Sequence, residues 1–230
     1  MRKAPLPATR STRKEKGSPP QPESSRERLL AVATELFGRR GVDGTSIREL
    51  AEAAGANVAA VHYHFGGKEE LYAAVIERAF QRMEEHRASL ERALATARAE
   101  GTPQAAERSL ATCVDEFLKR LFDGAEPSWA ATFLSRESVQ PTKAMGRVIR
   151  EFVRPTWDTF LSLLDLLRPD LAGTQATRFV ASSIVGQCLY YQQALPVVLS
   201  TFELRRIDED FLDKAAAHIV RFSLDALRRR

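Results

Sequence analysis

The chain has 230 residues, 44% of them hydrophobic, with formal net charge +4. That composition fits a soluble globular protein with one or two domains. No apolar run approaches the roughly 18 residues of a membrane span, and "MRKAPLPATRSTRKEK" has charge without the apolar core of a secretory signal. The two cysteines, Cys113 and Cys188, lie far apart in apolar helical surroundings. They read as buried thiols of a reducing cytosol rather than a disulfide framework.

Residues 1–22 carry Arg2, Lys3, Arg10, Arg13, Lys14 and Lys16 against Glu15, a net +5, which leaves about −1 for the rest. Rich in Pro, Ser and Thr and without periodicity, this stretch is expected to be a disordered basic arm. It is suited to nucleic acid or to simple solubility.

The pattern changes at Ser24. In "SSRERLLAVATELFGRRG", Ser24 and Glu27 form a capping box, and Leu29, Leu30, Ala33, Leu36 and Phe37 follow at helical spacing up to Gly41. "GTSIRELAEAAG" repeats that grammar: Thr45 or Ser46 caps, Glu49 follows, Ile47, Leu50 and Ala51 point inward, and Gly55 ends the helix. "NVAAVHYHF" opens on Asn57, a good N-cap, and "GG" terminates it. Lys68 then begins a long amphipathic helix through about Ala99.

Beyond "EGTP" the helical pattern resumes in "PQAAERSLATCVDEFLKRLF", "PSWAATFLSRES" and "TKAMGRVIREFVRPTWDTFLSLLDLL", the last kinked or divided by Pro155. "TQATRFVASSIVGQCLYYQQALPVVLSTF" is apolar on nearly all sides. "DEDFLDKAAAHIVRFSLDALRRR" closes the chain with Phe211, Ala215, Ile219, Phe222 and Leu227 as a stripe. No strand pattern or internal repeat is visible, so the expectation is an all-α chain of about nine helices.

The stretch "NVAAVHYHFGGKEELY" (57–72) needs a chemical reading. A metal site is disfavoured, because His62 and His64 are two apart on a helix and point to nearly opposite sides. His86 and His218 sit in separate helices and read as surface or interface residues rather than ligands or bases. A phosphate loop is excluded, since Gly67-Lys68 is followed by Glu69 and no strand precedes it.

A helix-turn-helix accounts for every residue type. Ala54-Gly55 makes the corner, Ala51 and Ala54 are small at the crossing, and the helix from Asn57 lies in the major groove. Val58, Ala59 and Ala60 then suit close approach to bases and thymine methyls. His62, Tyr63 and His64 carry polar tips toward phosphates, Phe65 packs back, and Lys68 adds a cation at a helix N-terminus.

"TSIRELAEAAGANVAAVHYHFGGKEELYAAV" resembles the DNA-binding domain of the TetR/AcrR family of bacterial transcriptional regulators, over roughly residues 25–72. The form "N-x-A-A-x-x-Y-H-F-G-G-K" is similar to its CecR-type branch, as are "SIVGQCLYY" and "SRESVQPT". His62 stands where the family usually has Tyr, and Asn57 where Ser is common.

The resemblance implies that Arg48, Val58, Ala59, Ala60, His62 and Tyr63 face DNA, while Thr45, Ser46, His64 and Lys68 hold its backbone. It implies a DNA-binding head at 23–68 and an effector-binding, dimerising body at 69–230. Residues 23–68 hold six basic and six acidic residues, so affinity must come from local placement.

A single helix-turn-helix reads few base pairs, so a homodimer on a palindromic operator is expected. Its interface would use Ser183, Gly186, Phe211, Ala215, Ile219 and Phe222. An effector pocket is expected from Trp129, Phe133, Arg136, Trp157, Gln187, Tyr190 and Tyr191, with Gln192 a further candidate to orient the ligand. The fourth helix would carry the switch, with Pro155 and Pro196 as bending points. No cofactor, metal or membrane partner is expected. The alternatives are a helical interaction module or a small helical enzyme, although no Ser-His-Asp set is apparent.

Overall fold

The computed structural model describes residues 24–143 and 145–228. The basic arm expected at 1–22 lies outside the described residues.

The first three helices are set by their caps. In α1 (Ser25–Arg40) the Ser24 hydroxyl accepts the Glu27 N–H and the Glu27 carboxylate accepts the Ser24 N–H, at 3.2 and 3.0 Å. In α2 (Ile47–Ala53) Ser46 and Glu49 do the same at 3.2 and 3.1 Å. Asn57 caps α3 (Val58–Phe65), its Oδ1 accepting the Ala60 N–H at 2.8 Å. Such caps typically stabilise a helix by about 1 kcal/mol each, a large share for helices of seven and eight residues. Between α2 and α3 the chain turns at Gly55, where φ is +60°. A side chain there would find open space, so the cost of replacing this glycine is backbone strain alone.

α4 (Lys68–Glu100) is about 50 Å long at 1.5 Å per residue. It serves two cores. Leu71, Tyr72, Val75, Ile76 and Ala79 join Leu29, Ala33, Phe37, Leu50 and Val61 in the head. Leu90, Leu94 and Ala97 join the body's core. The head's packing therefore extends past the expected boundary at Lys68, because the first turns of α4 supply its floor.

The body continues with α5 (Pro103–Arg120), α6 (Trp129–Val139), α7 (Met145–Val148) and α8 (Arg154–Leu167). It ends with α9 (Gln175–Gln193), α10 (Leu195–Thr201) and α11 (Glu209–Arg228). The expectation of no strands needs one correction. Phe122–Asp123 and Glu126–Pro127 form a two-residue antiparallel ladder around Gly124, whose φ is +64°. This hairpin brings the chain from α5 into α6.

Pro155 neither ends the helix nor simply kinks it. Lacking an N–H, and with a ring that would strike the Glu151 carbonyl, it cannot follow a regular turn. The preceding residues Ile149–Val153 widen into a π turn, in which the Arg154 N–H reaches the Ile149 carbonyl. α7, the π turn and α8 thus run as one continuous helix. At Pro196, by contrast, the chain breaks at Ala194 into α9 and α10.

Candidate nucleic-acid interface and interior cavity

Val61 anchors α3, fully buried against the head's core. Three and four residues from Ala59, His62 and Tyr63 share its face of the helix. All three are exposed, Tyr63 at 85% of its surface. His62 closes its own helix, Nδ1 lying 3.1 Å from the Gly66 carbonyl. His64 turns the other way and shares a 2.7 Å hydrogen bond with the Ser25 hydroxyl. The two imidazoles are therefore held apart, and neither points at a shared ion.

Arg48 is exposed and makes no ion pair among the described residues. Ser46 and Asn57 are also exposed, with their side-chain oxygens spent on caps. Lys68 is half-buried at the start of α4, a helix that has no side-chain cap.

One of the expected contacts needs correcting. Thr45 is 1% exposed and its hydroxyl donates to the Gly41 carbonyl at 2.9 Å, so it is a structural residue of the α1–α2 loop. Val58 and Ala60 are half-buried against the head's core, because they flank Val61 and share part of its inward face.

The body encloses a cavity of about 250 Å³ between α4, α5, α6, the α7–α8 run and α9. Of the expected pocket residues only Trp157 lines it. The rest are corrections, and α6 explains three of them.

Ala131, Leu134, Ser135 and Ser138 occupy the face of α6 toward the cavity. Phe133 and Trp129 lie toward the head's core instead, and Arg136 donates to the Arg39 carbonyl at 3.2 Å. Phe133 packs against Tyr72, ring centroids 6.0 Å apart, and the Tyr72 hydroxyl donates to buried Glu137. Thr142 adds two further donors to that carboxylate, from its N–H at 3.1 Å and its hydroxyl at 3.0 Å.

On α9, the Gln187 amide donates to the Ser183 carbonyl at 3.2 Å, Tyr190 faces outward, and Tyr191 packs on Phe211 with centroids 5.8 Å apart. Gln192 accepts from Ser135 at 3.1 Å, while its neighbour Gln193 lines the cavity.

His86 was missed. It is half-buried and lines the cavity, with its ring stacked on Phe117 at 5.4 Å. Burial, aided by the Arg120 charge, pushes its imidazole down to about 4. Among the described residues its buried Nδ1 has no hydrogen-bond partner, and neither has the buried Thr156 hydroxyl of α8. Cys113 and Cys188 also line the cavity, and burial pushes both thiols up to about 12. No sequence signal marked these residues, since their helical stripes are indistinguishable from ordinary core.

Of the expected interface residues, Ser183, Gly186 and Phe222 are exposed on α9 and α11. Phe179 and Tyr190 extend the α9 surface, at 64% and 45% exposure. His218 is exposed as expected and stacks on Phe222, centroids 6.2 Å apart. Ala215 and Ile219 are corrections: at 6% and 1% exposure they face the body's own core with Leu212 and Ala216. Phe211 is half-covered by Tyr191 and Phe202.

A capped helix-turn-helix on a helical body with a central cavity defines a DNA-binding transcriptional regulator. Residues 29–75 match the model of the bacterial regulatory proteins of the tetR family, and residues 106–227 match the C-terminal domain of the HTH-type transcriptional dual regulator CecR. The HTH-type transcriptional dual regulator CecR of Shigella flexneri is 31% identical over 192 residues, covering 82% of this chain and 84% of that protein. The chain belongs to the TetR/AcrR family, with a body of the CecR type.

The HTH-type transcriptional repressor KstR2 of Mycolicibacterium smegmatis is 36% identical over 59 residues, which are 26% of this chain and 29% of that one. Among solved structures, SmeT, the repressor of the Stenotrophomonas maltophilia multidrug efflux pump SmeDEF, shares the fold. Its TM-score is 0.56 at 20% identity, over 89% of this chain and 90% of that one. These relatives are regulators of transcription, which removes the enzyme alternative. Among the described residues no helix is long and apolar enough to cross a membrane.

Proposed function

We propose that this regulator is a ligand-responsive repressor, which binds an inverted-repeat operator as a homodimer in the cytoplasm and leaves it when a small molecule fills the cavity. The observation that carries the reading is the double role of α6. Leu134, Ser135 and Ser138 wall the cavity, while Phe133 and Glu137 on the same helix are packed and hydrogen-bonded into the head through Tyr72. A ligand that repacks the wall of α6 thereby changes what the head rests on.

In this reading Ala59, His62 and Tyr63 enter the major groove, with Asn57 at the leading end and Arg48 and Ser46 at its edge. Lys68 and the uncapped start of α4 hold a phosphate. The dimer forms through Phe179, Ser183, Gly186 and Tyr190 of α9 with His218 and Phe222 of α11, an isologous contact between two helix pairs. Selection of bound sequences from random duplex DNA tests this. Enrichment of an inverted repeat supports both operator and dimer; enrichment of a single half-site would remove the dimer from the reading.

A further inference from the structure

His62 and Gly66 are joined twice. The Gly66 N–H donates to the His62 carbonyl at 2.9 Å, and His62 Nδ1 lies 3.1 Å from the Gly66 carbonyl oxygen. Gly66 ends α3 as a left-handed cap with φ +93°. A carbonyl oxygen only accepts, so the proton of the second bond is on Nδ1. In a neutral imidazole that leaves Nε2 without a proton, as a bare acceptor. The side chain is exposed, and among the described residues nothing donates to Nε2.

The chemistry of duplex DNA then limits what His62 can meet. Phosphate oxygens are anionic acceptors, and a bare lone pair has no bond to make with them. In the major groove, guanine N7 and O6, adenine N7 and thymine O4 accept as well. The donors there are the exocyclic amino groups of adenine and cytosine.

Position and neighbours fit that role. His62 follows Ala59 by three residues on the same exposed face of α3. An imidazole is short, and a lone methyl group one turn away lets the helix come close enough for it to reach a base edge. Tyr63, Arg48 and Lys68 all carry donors, which suit phosphates. His62 carries the complementary group. The bonds to Gly66 fix the choice, because changing tautomer to present a donor would give up the bond from Nδ1.

We propose that His62 is a specificity-determining residue, whose Nε2 accepts a hydrogen bond from the adenine or cytosine amino group of one base pair in each half-site. The proposal rests on the reading of α3 as the groove helix.

Selection from random duplex DNA with the full chain tests it, run at about pH 8, above the range in which an imidazole ordinarily titrates. The wild type is compared with His62→Phe, which keeps a ring and lacks the acceptor. The variant should lose its preference at one base pair of each half-site and keep the rest of the inverted repeat. The amino group of that pair is then removed in one half-site, with purine in place of adenine or 2-pyrimidinone in place of cytosine. By fluorescence anisotropy, this change should weaken the wild type about five- to tenfold more than His62→Phe, the value of one net hydrogen bond. What the altered base pair costs by itself is common to both chains. Should His62→Phe lose its helical circular dichroism, the same replacement at a pair that the wild type does not select serves as the reference. Equal losses overturn the proposal. So does a variant weakened alike on every sequence, which would place His62 on a phosphate. If the wild type enriches no sequence, the reading of α3 in the groove falls, and the proposal with it.

Discussion

The state of His86 can be tested through stability, independently of any ligand. Its imidazole ordinarily titrates near 6.5, and burial beside Phe117, with the Arg120 charge adding to it, pushes it down to about 4. Because the folded value is depressed, the native chain binds fewer protons than the unfolded one between these limits. The contribution to stability is whole above pH 6.5 and is lost progressively as pH falls toward 4. At about 1.4 kcal/mol per pH unit, linkage gives a loss of about 2 kcal/mol by pH 5 and about 3 kcal/mol by pH 4. Many carboxylates also titrate in this window, so the comparison must be differential. Urea unfolding followed by helical circular dichroism, at one protomer concentration, would be run at pH 7 and pH 5 on the wild type and on His86→Phe. Groups common to both chains cancel. The wild type should lose about 2 kcal/mol more than the variant. Equal losses, within about 0.5 kcal/mol, would mean that the His86 imidazole is solvated rather than covered by Phe117 and its neighbours.

The other expectations concern DNA, dimer and coupling. Arg48→Ala and Lys68→Ala should each weaken operator binding about five- to tenfold by fluorescence anisotropy, with sedimentation still reporting a dimer; unaltered binding in both would displace the reading head from where it is drawn. Phe222→Arg should shift the chain toward monomer in sedimentation and weaken operator binding with it, since an exposed ring on α11 becomes a charge inside the contact. Tyr72→Phe removes the donor to Glu137, whose carboxylate then keeps, among the described residues, the Thr142 donors. It should cost about 1–3 kcal/mol in urea unfolding at pH 7, and an unchanged midpoint would show the link to be idle. Removing residues 1–22 takes away six basic side chains. If they reach phosphates, the slope of log K against log salt should flatten by about 3 to 5, from roughly 0.9 per contact; an unchanged slope would leave the arm without a role on DNA.

What the sequence disclosed was local. Ser24-x-x-Glu27, Ser46-x-x-Glu49 and Asn57 all cap as their spacing requires, because a cap depends on residues three apart and on nothing distant. Gly55 turns the corner for the same reason. Orientation across helices was not legible. Periodicity places Phe133 and Leu134 on different stripes of α6, and both touch the head's core; that Leu134 also meets the cavity depends on packing that periodicity does not show. The terminal helix misled in the same way: Ile219 and Phe222 are three apart, yet one is in the core and the other in solvent. His86 could not be identified at all, since a lone histidine in an amphipathic helix gives no sign of what will pack over it.

The long-range logic of the fold rests on α4 and α6 together. Tyr72 and His86 are fourteen residues apart on α4, about 21 Å at 1.5 Å per residue, and nearly four full turns bring them to the same side of the helix. Tyr72 meets α6 at Phe133 and Glu137, while His86 meets the cavity that α6 also walls. A ligand in that cavity would therefore press on both helices, near the middle of α4. The tie between them is not elastic. Glu137 is 3% exposed, so sliding α6 past α4 without replacing the Tyr72 hydroxyl would strand a buried carboxylate oxygen. Small shifts are thus resisted, and large ones require a new partner for that carboxylate, which favours two discrete arrangements over a graded one. Arg136 carries the same constraint to the end of α1 through the Arg39 carbonyl. α6 is thus tied both to α4, the floor of the head, and to α1, its side wall.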